Sequence, residues 1–181
     1  TKQVVKNEKN IIWLDYDTAK ILIQVSRFDL ARDLVISVLK AKSSESWAWA
    51  ALAATYREED PDIAIKLFCE GICHAHDPKF SVKCFKSLIP LLVAKGQHKE
   101  ASMCIKTAVA IYKKEGWRIK SDLEEYMNSD WYDDSVDVSS FAAFAKSQAK
   151  GAKEYLYGKV VLKIGVVKSA HNSGKGFDVY F

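Results

Sequence analysis

Two consecutive helical patterns joined by a short polar loop constrain the fold more than any other feature of this chain. In WAALAATY, residues 49–56, large side chains recur three and four positions apart, which places them on one face of a helix. In AIKLFCEG, residues 64–71, small residues would let a neighbouring helix approach closely. The loop REEDPD contains Asp60, a predicted N-cap, followed by Pro61 at the first position of a helix. The pattern predicts a packed helix pair with five structural residues, Trp49, Leu52, Tyr56, Ala64 and Phe68.

Weaker copies of this pattern lie on both sides of it. Upstream, YDTAKILI precedes ARDLVISV, and downstream KSLIPLLV precedes ASMCIKTA. Each second helix opens on an alanine, at Ala31, Ala64 and Ala101. The intervals of 33 and 37 residues are close to the period of about 34 that stacked helix pairs show. The sequence therefore predicts three helix pairs over residues 12–115.

The spacing Trp-x2-Leu-Ala-x2-Tyr, then Ala-x3-Phe-x2-Gly, resembles the tetratricopeptide repeat. The resemblance implies an α-solenoid whose concave surface binds a protein or peptide. The end of the stack is predicted to be closed by a short helix with Ser121 as its N-cap and Glu124 three residues on, the pattern of a capping box. We therefore predict a mainly α fold with a helical repeat domain over residues 1–132, then an acidic linker and connecting helix over 133–158.

Residues 159–181 change character, because β-branched residues alternate there and the polar stretch SAHNSG offers turn chemistry. The order Gly-Val-Val-Lys, polar loop, Lys-Gly-Phe resembles the opening of cold-shock domains, which are five-stranded OB-type barrels. The matching residues are Gly165, Val167, Lys168, Lys175, Gly176 and Phe177. The resemblance implies a β-hairpin that begins an incomplete OB-like module and contacts RNA or single-stranded DNA through Lys168, Lys175 and Phe177. Two strands are marginal alone, so Phe181 is not expected to be the natural end.

The distribution of charge suggests a second contact with an anionic partner. Residues 78–120 carry ten basic and two acidic side chains, a net charge of +8, while the whole chain carries +4. Within this stretch Lys79, Lys83 and Lys86 recur on one predicted helix face. A basic stripe of this kind is either a solvated helix face or a surface that contacts phosphates. We predict that these three lysines add electrostatic attraction for nucleic acid.

Candidate metal and catalytic groups are sparse. Cys69, Cys73 and His76 follow one another at helical spacing, which suits zinc, but a further pair of ligands is missing nearby. The stretch HNSGKG lacks the spacing of a phosphate-binding loop. The aspartates between Asp130 and Asp137 lack EF-hand spacing and are better explained as an interhelix linker. We therefore predict no catalytic residue, no metal and no cofactor.

These observations predict a non-enzymatic interaction protein, a helical-repeat scaffold that binds protein and contacts nucleic acid through its C-terminal module. Two alternatives stay open: a purely protein–protein scaffold whose hairpin completes an oligomer interface, and an accessory region of a larger protein. No apolar run reaches the roughly 20 residues that cross a bilayer, so no membrane contact is expected. Four cysteines in helical segments predict reduced thiols and a cytoplasmic location. The oligomeric state is left open.

Overall fold

The computed structural model describes the backbone of residues 2–158, 166–170 and 177–180 and the side chains of residues 11–158. Residues 2–158 are helical with short connections. The α-helices are α1 (Lys2–Gln24), α2 (Phe28–Ala41), α3 (Ser46–Ala54), α4 (Pro61–Cys73), α5 (Val82–Ala94), α6 (His98–Lys114), α7 (Ser121–Met127), α8 (Phe141–Gln148) and α9 (Glu154–Tyr157). Two 3-10 turns, Pro78–Ser81 and Val138–Ser140, precede α5 and α8.

The first six helices form three pairs, α1 with α2, α3 with α4, and α5 with α6, and neighbouring pairs pack on one another. Helix α4 begins where the sequence indicates. The Asp60 carboxylate accepts hydrogen bonds from the backbone N–H groups of Asp62 and Ile63, both at 3.1 Å, and Pro61 opens the helix. This cap satisfies two of the N–H groups that a helix start leaves unpaired.

Small residues decide how closely the pairs approach. Ala31, Ala64 and Ala101, which lie near the start of each second helix, are fully buried. Gly71, near the end of α4, lies in tight contact with the neighbouring helices: a Cβ atom built on it would lie 3.1 Å from both the Cys84 sulfur and the Ser46 carbonyl oxygen. The larger core side chains, among them Trp49 and Phe68, fill the space around these contacts.

After α6 the chain returns to the middle of the stack. Helix α8 packs against α4, and α9 contacts α2. The apolar stripe of this segment is buried, at Phe141, Ala145, Ala149, Ala152 and Leu156. The sequence suggests one continuous helix here, but Gly151 has a φ of +82°, a left-handed conformation that ends the first helix and starts a turn. The turn keeps the later stripe residues facing inward.

The acidic segment that precedes α8 is attached to α6 by two side chains. The ammonium group of Lys106 donates hydrogen bonds to the carbonyl oxygens of Asp134 at 2.7 Å and Val136 at 2.9 Å. The fully buried Ser102 accepts a hydrogen bond from the backbone N–H of Asp133 at 3.0 Å. Lys106 is therefore a structural residue, although in the sequence it looks like part of a basic surface stripe.

Replacing Lys106 by methionine should destabilise the fold by about 1–2 kcal/mol, because two carbonyl oxygens lose a charged donor while the aliphatic packing is kept. The measurement is chemical denaturation of the purified chain. Lys113→Met, on the exposed part of the same helix, is the control and should change the free energy of unfolding by less than about 0.5 kcal/mol. Equal effects for the two variants would contradict the structural role of Lys106.

The fold class predicted from the sequence is wrong. It joined an open tetratricopeptide-like solenoid to the β-hairpin of an OB or cold-shock-like module, whereas the body of the protein is all-helical. Open solenoids have contacts between successive repeats only, but α8 here returns to α4. Near the C-terminus the described residues hold two short strands, β1 (Val166–Ala170) and β2 (Phe177–Tyr180). Their antiparallel pairing shifts register between Val167 and Ser169. Alternating residues over so short a run do not specify a β module, because two strands alone are marginal. The rest of the predicted hairpin lies outside the described residues.

Candidate binding groove

A groove of about 680 Å³ lies on the side of the body formed by the first helices of the second and third pairs. Its floor is apolar and is formed by α3, α5, α6 and the 3-10 turn before α5. Phe80, in that turn, is 63% exposed, which is unusual for a phenylalanine with a folded core beside it. The other floor residues are Trp47, Val82, Pro90 and Tyr112. We call this cleft the groove.

The rim of the groove carries four cations and one carboxylate, Asp122, and a second carboxylate, Asp77, lies beside the rim. Lys79 forms an ion pair with Asp77 at 3.0 Å, and Lys86 forms one with Asp122 of α7 at 2.7 Å. Hydrogen bonds from the side chain and backbone N–H of Lys79 lower the pKa of Asp77, so that carboxylate is charged at neutral pH. The remaining rim cations are Arg57 and Lys83, both exposed. The groove therefore combines an apolar floor with an excess of positive charge.

Aromatic side chains extend the apolar surface from the groove toward α1. Trp47 stacks on Trp13 with ring centroids 5.4 Å apart and meets the edge of Tyr16 at 4.6 Å. These three residues lie on α1 and α3, the first helices of two successive pairs. A ligand segment in the groove could therefore continue along this face and contact several first helices.

The structure places the predicted site residues unequally. Lys79, Lys83 and Lys86 all line the groove, although Lys79 lies in the 3-10 turn and not on α5. Lys175 lies outside the described residues, as do the side chains of Lys168 and Phe177. The nucleic-acid contact predicted for these six residues stays a prediction.

The aromatic residues of the groove were not predicted as site residues from the sequence. Trp47 and Trp49 are two positions apart on α3, so they point to nearly opposite sides of the helix. Trp49 is fully buried and Trp47 lines the groove. Phe80 is flanked by Lys79 and Ser81 and follows Pro78 by two positions, so its neighbours in the sequence are typical of a turn.

A second cleft, of about 770 Å³, lies between the end of α4 and α8. Its one described carboxylate, Glu70, is nearly buried and is already bonded to His74 Nε2 at 3.1 Å, with Lys153 at 3.8 Å. The His74 ring stacks parallel to the Trp49 ring, with ring centroids 5.7 Å apart, and covers this edge of the core. The other residues that line this cleft are small or polar, among them alanines, Cys73 and exposed lysines, and none is an exposed aromatic. The larger cleft therefore lacks the exposed aromatic surface that a bound segment could bury in the groove.

The cysteine and histidine residues near this cleft do not converge. Helix α4 ends at Cys73, so His76 lies beyond the helix and cannot share its face with Cys69. Cys69 is buried, and burial raises the pKa of its thiol far above the ordinary value. Among residues with described side chains, no three His, Cys, Asp or Glu residues lie close enough to hold a metal ion.

Thiol reactivity offers a direct test of this packing. Cys69, Cys84 and Cys104 are buried, and burial raises the pKa of Cys84 to about 11. Cys73 is exposed, and its pKa is also raised. We expect one thiol per chain to react with Ellman's reagent in the folded protein near pH 8 and all four in denaturant. Cys73→Ser should remove the native reaction, and rapid native labelling of that variant would contradict the packing.

Comparison with known protein families adds one finding. Residues 12–152 match the family model described as "Domain of unknown function (DUF7017)". The chain belongs to this family. The match covers the C-terminal part of α1 and all of α2 to α8, so the groove lies inside the family domain. No curated protein and no solved structure matches the chain. The matched family is neither the tetratricopeptide nor the cold-shock family, and both resemblances stay predictions. None of the described helices is long and apolar enough to span a membrane.

Proposed function

We propose that this DUF7017 domain is a non-catalytic interaction module that binds a segment of a partner protein in the groove. The observation that carries the proposal is the exposure of Phe80, which stands beside Trp47 and Pro90 in a cleft of about 680 Å³. Exposed apolar side chains grouped in a concave, charged rim are typical of interaction sites. The volume lies within the range of about 300–1,000 Å³ that ligand-binding clefts span.

The packing around the groove supports the same function. Val82 and Tyr112, two residues of the floor, are buried core residues of α5 and α6, so this part of the floor is held by the folded body. A rigid floor reduces the entropy that binding would otherwise cost. The aromatic run from Trp47 to Trp13 and Tyr16 offers further contacts to a longer segment.

The test is a selection of displayed random peptides on the full 181-residue chain, followed by affinity measurements on purified clones. We expect clones whose affinity falls at least tenfold with Phe80→Ala, as at an aromatic hot spot worth about 2 kcal/mol. Tyr157→Ala is the matched control, because Tyr157 is 54% exposed on α9, away from the residues of the groove. It should leave the affinity unchanged.

Two results would contradict this function. One is a selection that yields no clone whose affinity depends on Phe80. The other is a set of clones that lose affinity equally with Phe80→Ala and Tyr157→Ala, because such clones would bind exposed aromatics without using the groove. Circular dichroism of both variants checks that the helical content is kept.

A further inference from the structure

The charges on the rim of the groove indicate what kind of segment fits there, an inference that rests on the proposed function. Two of the four rim cations are already neutralised, Lys79 by Asp77 and Lys86 by Asp122. Lys83 and Arg57 form no ion pair with any residue whose side chain is described. The groove thus presents two uncompensated positive charges beside an apolar floor.

We infer that the segment held in the groove is an acidic peptide that places a bulky apolar side chain against Phe80 and carboxylates near Lys83 and Arg57. An anchor between two carboxylates matches both parts of the groove, because the floor favours burial of apolar surface and the two cations favour negative charge. The guanidinium of Arg57 can donate two parallel hydrogen bonds to a carboxylate, whereas Lys83 acts as a point charge.

The surrounding charge distribution favours the same partner. Residues 78–120 carry a net charge of +8, and this stretch supplies most of the rim. An excess of positive charge around a groove raises the rate at which an acidic ligand arrives, and this effect falls with ionic strength. The affinity for an acidic segment should therefore decrease as salt increases.

A nucleic acid strand is a poorer match to these groups. A strand carries a phosphate at every nucleotide, and its affinity depends on many cation contacts. Among the rim cations only Lys83 and Arg57 are uncompensated, and the carboxylates of Asp122, on the rim, and of Asp77, beside it, would repel passing phosphates. A peptide can place carboxylates beside Lys83 and Arg57 and keep neutral residues near Asp77 and Asp122.

The experiment starts from the displayed clones whose affinity depends on Phe80 and uses them as synthetic peptides. We expect these clones to be acidic, and we expect conversion of their Asp and Glu residues to Asn and Gln to weaken binding at least tenfold, as for other charge pairs at interfaces. Lys83→Glu in the protein should weaken binding similarly. Lys150→Glu, which changes an exposed lysine of the second cleft, should leave binding to the groove unchanged apart from a small shared loss of steering.

The outcomes separate this inference from the proposed function. Clones that depend on Phe80 but are neutral or basic, or that tolerate the amide replacements, overturn the acidic partner and leave the groove as a protein-binding site. Absence of any Phe80-dependent clone overturns both. An oligouridylate that competes with the peptides and binds more tightly, with its affinity lost in Lys83→Glu, overturns the choice of a peptide in favour of RNA.

Discussion

Replacing Trp49 by alanine is expected to destabilise the domain by about 3–5 kcal/mol, enough to unfold much of a protein of ordinary stability. Trp49 is the largest fully buried side chain, with 0% exposure. Its indole N–H donates a hydrogen bond to the carbonyl oxygen of Ser43 at 2.8 Å, and its ring stacks on His74. The substitution therefore opens a cavity and leaves the Ser43 carbonyl oxygen without this hydrogen bond. It also removes the ring on which His74, just after α4, stacks.

Thermal and chemical denaturation measure this effect. Trp117→Ala is the matched control, because Trp117 is 44% exposed and contacts mainly the edge of Tyr112 at 5.6 Å. The control should cost less than about 1.5 kcal/mol, the upper range for an aromatic pair at the surface. A Trp49→Ala variant as stable as Trp117→Ala would mean that the core is not centred on the α3–α4 pair.

Replacing Gly71 by valine is expected to cost about 3 kcal/mol, at the upper end for overpacking a core. A Cβ atom at this position would lie 3.1 Å from the Ser46 carbonyl oxygen and 3.2 Å from the Trp49 Cβ. Both atoms belong to the framework of α3, which cannot move without disturbing the pair. Added γ-methyl groups increase the conflict.

Gly71→Ala provides the sharper comparison, because alanine is favoured over glycine by about 1 kcal/mol in a free helix. We expect this variant to be less stable than the wild type even so, with the conflict outweighing the gain in helix propensity. Ala110→Val, at an exposed position of α6, controls for the β-branched side chain and should cost less than about 1 kcal/mol. A stabilised Gly71→Ala would show that α3 and α4 are farther apart than the structure has them.

The parts of the fold that could be predicted depend on neighbours in the sequence. The apolar spacing of residues 49–56 and the cap at Asp60 are local, because a helix turn brings those residues together without help from the rest of the chain. The capping box expected at Ser121 shows the limit of this argument. The side chain that accepts a hydrogen bond there is Asp122, from the N–H of Leu123, and Ser121 does not cap α7.

The parts that could not be predicted depend on contacts between distant segments. The sequence pattern of residues 141–156 indicates a helix with one apolar stripe, but its docking onto α4 and the turn at Gly151 depend on the shape of the core. The role of Lys106 likewise depends on carbonyl groups about thirty residues away. Lys79, Lys83 and Lys86 could be predicted to share one surface because their spacing is local. The floor that lies beside them, above all Trp47, could not, because it is assembled from four separate elements.

Chemical-shift mapping of the full ¹⁵N-labelled chain with the tightest-binding selected peptide, chosen without regard to Phe80, tests the central claim most directly, because it shows where the ligand lies without relying on substitutions. The account predicts that the largest shift changes lie in α3, in the 3-10 turn Pro78–Ser81, in α5 and in α7, around the groove. Changes that are concentrated instead in α8 and the turn at Gly151, beside the second cleft, would contradict it.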